Sequence, residues 1–160
     1  MDGYSETSRP RAKDIADMAI KDNTKQVTRA VNRVLHEVMA RTGNEFINNA
    51  RRSVTQSVYS RGGRQPWELT GNLRASIGYH VLSPVGSQKQ FGDVSEGREE
   101  GQRLAGDVVK EGDGFRLALV AGMPYARYVE ARGYDVISNS VTTARQQFDK
   151  RIKRRLKHLR

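Results

Sequence analysis

His36, His80 and His158 are the side chains best placed by type for proton transfer or metal binding near neutral pH. Their spacing supports neither role. They fall on three different expected elements, and none has a second histidine or a carboxylate at a ligand spacing such as His-x-x-x-His. Glu99 and Glu100 are adjacent carboxylates, but they sit in a glycine-rich acidic stretch where no buried partner would tune a pKa for acid–base work. The 15 glycines match neither a P-loop nor a Gly-x-Gly-x-x-Gly turn opening a helix. The chain has no cysteine, so disulfides, zinc ribbons, iron–sulfur clusters and thiol nucleophiles are excluded together. Arg61-Gly62-Gly63 is a single copy of a box that RNA-binding tails repeat many times. The residue types point away from an enzyme, and they call for no cofactor and no metal.

What remains is charge. Of 160 residues, 28 are Lys or Arg and 18 are Asp or Glu, for a net charge of +10. The excess is concentrated: residues 127–160 hold ten basic and three acidic side chains, whereas residues 72–126 hold six and seven. Lys150, Arg151, Lys153, Arg154, Arg155 and Lys157 are therefore the candidates to meet phosphate or an acidic neighbour. Cations near the C-terminal end of a helix also suit its dipole, a purely structural reason for some of them. Asp93, Glu96, Glu99 and Glu100 form the opposite pole and are candidates for a subunit contact.

The elements that must hold these residues follow from the apolar pattern. Leu, Ile, Val and Phe together number 34, about a fifth of the chain, so the core is small and completion by neighbouring subunits is expected. Residues 1–23 read as an N-terminal arm, with a weak stripe of Ile15, Met18 and Ala19 that allows a short helix. Asp22, Asn23 and Thr24 resemble a break and a new N-cap. Val27, Val31, Val34, Leu35, Val38 and Met39 then recur at spacings of three and four, and Phe46, Ile47, Ala50, Val54 and Val58 continue the stripe. This predicts one long helix over 24–60, interrupted or bent near Gly43 and ended by the glycines at 62 and 63.

The period then changes to two. Leu73, Ala75, Ile77, Tyr79 and Val81 alternate with polar or small residues and predict a strand. Phe115, Leu117, Leu119 and Ala121 predict a second, with residues 107–110 as the other arm of a hairpin across Glu111-Gly112-Asp113-Gly114. Residues 86–106, with five glycines and the acidic cluster, read as an exposed loop. Val141, Ala144, Phe148, Ile152 and Leu156 predict a closing amphipathic helix over 140–158. The expected fold class is α+β: a long N-terminal helix and a C-terminal amphipathic helix packed on a small, mostly antiparallel sheet, as a single domain over 24–160. The longest run free of Asp, Glu, Lys and Arg, residues 75–88, is too short and too polar to cross a bilayer, which takes about 18 apolar residues or more. No apolar h-region follows Met1, so a secretory signal is not expected.

Two segments stand out. Trp67-Glu68-Leu69-Thr70-Gly71-Asn72-Leu73-Arg74-Ala75-Ser76-Ile77 is a turn leading into a strand. Pro124-Tyr125-Ala126-Arg127-Tyr128-Val129-Glu130-Ala131-Arg132-Gly133 follows the second strand, with Tyr125, Tyr128 and Val129 placed to share one face of a helical turn. Core packing is the ordinary role for the tyrosines and for Trp67, the only tryptophan.

In this order and about 50 residues apart, the pair Thr-Gly-Asn-Leu-Arg-x-Ser-Ile and Pro-Tyr-Ala-x-Tyr-Val-Glu-x-x-Gly resembles the neck and tail-completion proteins of tailed bacteriophages, often called minor tail components. The resemblance runs over roughly residues 25–158. It departs at the start of the last helix, where the family often carries Arg-Pro-Phe and this chain has Ser138 to Thr143. The resemblance implies a structural virion protein at the head–tail junction, made and assembled in the host cytoplasm. It implies self-assembly into a ring of six or twelve copies, neighbouring connector and tail rings as partners, and packaged duplex DNA passing through a basic lumen without base readout. It assigns Trp67, Thr70, Gly71, Leu73, Arg74, Ser76, Ile77, Tyr125, Ala126, Tyr128, Val129, Glu130 and Gly133 to the shared framework. An Arg74–Glu130 ion pair locking the two segments is a further expectation. A free-standing nucleic-acid-binding protein using the last helix is the alternative.

Overall fold

The computed structural model describes residues 11–60, 70–110 and 114–157. The expectations for Trp67, for Arg61-Gly62-Gly63, for His158, for the turn at 111–113 and for residues 1–10 lie outside these. Helix α1 (Ala12–Val54) is followed by a π-helical turn, Thr55–Tyr59. Then come a short helix α2 (Asn72–Ser76), strands β1 (Ile77–Ser83) and β2 (Gly86–Gln90), helix α3 (Ser95–Lys110), strand β3 (Arg116–Ala121), helix α4 (Ala126–Ala131) and helix α5 (Ser138–Lys157). The class is α+β, with a long N-terminal helix, a small antiparallel sheet and a closing helix.

Helix α1 begins twelve residues earlier than the pattern suggests. Asp22, Asn23 and Thr24 do not break it, and the Thr28 hydroxyl donates back to the Thr24 carbonyl at 2.8 Å. Each such residue costs well under 1 kcal/mol in a helix interior, less than re-nucleating a second helix would cost. Gly43 does not interrupt it either. A Cβ there would lie 2.4 Å from the ring of Tyr79, so the glycine lets the sheet approach the helix.

The sheet order is β2-β1-β3, antiparallel throughout. Ile77 pairs with Ala121, Tyr79 with Leu119 and Val81 with Leu117. Directly opposed residues share a face, so these six form the side that packs on α1. There they meet Met39, Phe46, Ile47, Ala50 and Val54 in the main core. On the other face Ala118 and Val120 pack against Ala105 and Val109 of α3. Antiparallel to α1, helix α5 closes the first layer: Ala144 joins the main core and Arg151 reaches Thr42 and Glu45.

Three further expectations are corrected. Residues 86–106 are not a loop but strand β2 and most of α3. The glycines that suggested a loop are contact points: a Cβ on Gly97 would sit 2.2 Å from the Asn72 carbonyl oxygen, and one on Gly101 2.5 Å from that of Ser76. Gly97, Gly101, Ala105 and Val109, four residues apart, are the buried stripe of the helix. Residues 107–110 are its last turn rather than a hairpin arm. The first strand starts at Ile77, because Leu73 and Ala75 belong to a helical turn opened by Gly71 at φ 70°, with the Ala75 N–H bonded to the Gly71 carbonyl at 3.0 Å.

Candidate functional site

The two framework segments meet in space. The Ser76 hydroxyl donates to the Leu73 carbonyl at 2.8 Å and accepts the Met123 N–H at 3.3 Å, while the Ser76 carbonyl accepts the Gly122 N–H at 3.2 Å. Burial pushes the Tyr125 phenol pKa up, and its hydrogen-bonding neighbours are the Thr70 side chain and the Leu73 backbone. Leu73, Ile77, Ala126 and Val129 are all buried. The N–H of Gly133, at φ 87°, bonds the Glu130 carbonyl at 3.0 Å as α4 ends. Tyr128 departs from expectation. It is 53% exposed, with the Arg132 guanidinium 4.4 Å above its ring, because a six-residue helix buries only the face carrying Ala126 and Val129.

Arg74 and Glu130 do not pair among the described residues. One Glu130 carboxylate oxygen instead accepts the N–H groups of Ile137 (3.2 Å) and Ser138 (2.9 Å), and so caps the start of α5. Burial raises the Glu130 pKa, but the hydrogen bonds from Ser138 and the neighbouring backbone outweigh it, and the net shift is downward. Asp135 completes the cap through the Asn139 N–H and ties it to α1 through the Ser53 hydroxyl at 3.0 Å. Arg74 is exposed and lies with Arg51 and Arg52 around a polar hollow. Burial, then the charge of Arg74, lowers the Arg51 pKa, and Asp93 partly offsets them. This arginine cluster is not legible in sequence, because Arg51 and Arg74 come from different elements.

The six basic candidates divide. Arg151 is structural: its side chain is only 18% exposed, it is ion-paired with Glu45 and it donates to the Thr42 hydroxyl at 3.3 Å. Lys150, Arg154 and Arg155 line a polar groove with Glu37 and Arg41 of α1, and Lys153 and Lys157 are exposed. The four acidic candidates are gathered at the start of α3. Glu96 bonds the Asn72 amide, Glu100 pairs with Arg103 at 2.8 Å, and Asp93 and Glu99 are exposed. The histidines have ordinary partners: His36 meets the Ser83 hydroxyl at 2.8 Å and His80 that of Ser87 at 2.7 Å. Among the described residues no cluster of His, Asp and Glu could hold a metal ion, and no helix is long and apolar enough to cross a membrane.

A concavity of about 750 Å³ was not anticipated. It lies along β3, between that strand and α5, over Met39 and Thr42 of α1. Its walls are apolar, including Phe115, Leu117, Val141 and Phe148, with Val108 of α3 on the rim. Among the described residues β3 pairs only with β1, so its other edge is free. A free strand edge and an open apolar groove are surfaces that another chain can cover.

Comparison with family models agrees. Residues 10–131 match the HK97-gp10-like family, described as "Bacteriophage HK97-gp10, putative tail-component". The match covers about three quarters of the chain, with the whole of the first framework segment and the second as far as Ala131, so this chain belongs to the HK97-gp10-like family. It is a bacteriophage tail component. Neither curated proteins nor solved structures give a match.

Proposed function

We propose that this tail component forms a ring at the head–tail junction, joining the connector to the tail and letting packaged DNA pass through. The family match carries the reading, because it makes the chain a piece of the virion that works among other structural proteins. The role is scaffolding without catalysis. The partners are further copies of the chain, in six or twelve, and the rings above and below.

The net charge of +10 per chain supports a DNA-lined lumen. A ring of six to twelve copies carries a formal charge on the order of +60 to +120 before counterions. Contact with phosphates by long exposed side chains is independent of sequence and lets the duplex slide. Lys150, Lys153, Arg154, Arg155 and Lys157 are the residues for it. Arg151 is not, since it is held by Glu45. The acidic start of α3 is the candidate face for contact with the next subunit.

Negative-stain imaging and mass photometry of the full chain, alone and with its connector, test the ring. Closed rings of uniform size are expected. A chain that stays monomeric at every concentration and beside its connector would sink the reading. Replacing the five exposed cations with Gln should leave the ring intact and flatten the salt dependence of duplex binding. Tight duplex binding by a discrete monomer would favour a free-standing nucleic-acid-binding protein instead.

A further inference from the structure

Helix α1 is longer than its own domain requires. Its 43 residues span about 65 Å at 1.5 Å per residue. Packing against the rest of the chain begins near His36, which bonds Ser83, and Val38, which is buried. Helix α5 runs antiparallel along α1, with Arg154 and Arg155 beside Glu37, Val38 and Arg41. Every residue from 23 to 30 is exposed. The first two dozen residues of α1, Ala12 to Leu35, thus run about 36 Å ahead of His36, with 23–30 wholly exposed.

The projecting part is amphipathic. Val27, Val31 and Val34 lie on the helix face that Val38 continues into the core, and Val27 is 59% exposed. Lys25, Arg29 and Arg33 occupy the opposite face. The chain thus carries one apolar ridge, exposed at Val27 and half-covered at Val31 and Val34, and one apolar groove, between β3 and α5, that it does not fill. These lie in different parts of the molecule, and a contact between unlike patches is head-to-tail, so it propagates around a ring.

We propose that the projecting part of α1 from one copy lies in the groove between β3 and α5 of the next, so that each copy gives one helix and receives one. This rests on the reading that copies of the chain form a ring, and it names the contact that closes it. Laying one side of a helix about 36 Å long and 10 Å wide in a groove removes roughly 360 Å² from each surface. That is below what a stable isolated dimer needs. Closure, which gives every copy two such contacts, supplies the rest, and assembly goes from monomer to ring without a persistent dimer.

The chain has no cysteine, so introduced pairs report cleanly. Val27→Cys or Val31→Cys combined with Val108→Cys should give, on mild oxidation, a disulfide ladder ending at the ring number, while each single variant stays uncrosslinked. Val27→Asp, at an exposed position, should abolish the ring with an unchanged melting temperature. The inference falls if the double-cysteine chains give no ladder or close the disulfide within one chain. It falls also if Val108→Cys alone crosslinks, which would mean that β3 edges meet across a two-fold. A ladder that grows into open filaments keeps the contact and overturns the ring, whereas uncrosslinked closed rings keep the ring and overturn the contact.

Discussion

The two halves of α1 carry the same apolar stripe and meet opposite fates. From Val38 to Val54 the stripe is buried against the sheet and α5, with Phe46 and Ile47 almost inaccessible. Around Val27 it stands in water. Spacing sets that a helix has an apolar side; whether anything covers that side depends on what the rest of the chain brings to it. The covered half makes the fold, and the uncovered half is available to a partner.

Substitutions should divide along this line. Phe46→Ala, in the covered half, should cost about 3–5 kcal/mol, read as a loss of denaturation midpoint at constant slope. An equal loss at Val27→Ala would break the comparison. Gly43→Ala tests the helix–sheet approach. Ala is favoured over Gly by about 1 kcal/mol in a free helix, but here its Cβ would strike the buried ring of Tyr79. A net destabilisation of about 1–3 kcal/mol is expected, and a stabilised Gly43→Ala chain would show that the ring yields freely.

The same contrast exists within α5. Arg151→Gln removes the ion pair with Glu45 and the bond to Thr42, and should cost about 1–2 kcal/mol. Lys153→Gln, at an exposed position, should stay within about 0.5 kcal/mol of the parent. Equal effects in thermal melts would erase the division between structural and solvent-facing cations. Glu130→Gln weakens the cap of α5 and should cost about 1 kcal/mol. Because the Glu130 pKa is lowered on folding, its contribution is present above the unfolded carboxylate range and is lost as pH falls through the folded value. The gap between the parent and Glu130→Gln should therefore be widest near neutrality and close in acid. The smallest effect is expected at Val27→Ala, within about 0.5 kcal/mol by chemical denaturation.

Much of the frame was legible. The stripe from Val27 to Val58, the strand of Leu117, Leu119 and Ala121 and the stripe of α5 each repeat over enough residues to define their period. The acidic segment was misread because Gly97 and Gly101 look like loop residues when their neighbours are unknown. The four-residue spacing of Gly97, Gly101, Ala105 and Val109 was the available signal for a helix with one small-residue face. The Arg74–Glu130 pair failed for a similar reason. Opposite charges were visible in the sequence, but the unsatisfied N–H groups at the start of α5 were not, and they bind Glu130 more effectively than a distant arginine.

By itself, the sequence determined the α+β class, the family-bearing segments and the location of the basic excess, because these depend on residue type and local period. Tertiary structure decided which stripe is covered, which arginine of α5 is tied down and where the open groove lies. Those depend on which surfaces the folded chain brings together and which it leaves without a neighbour, and no local pattern encodes that.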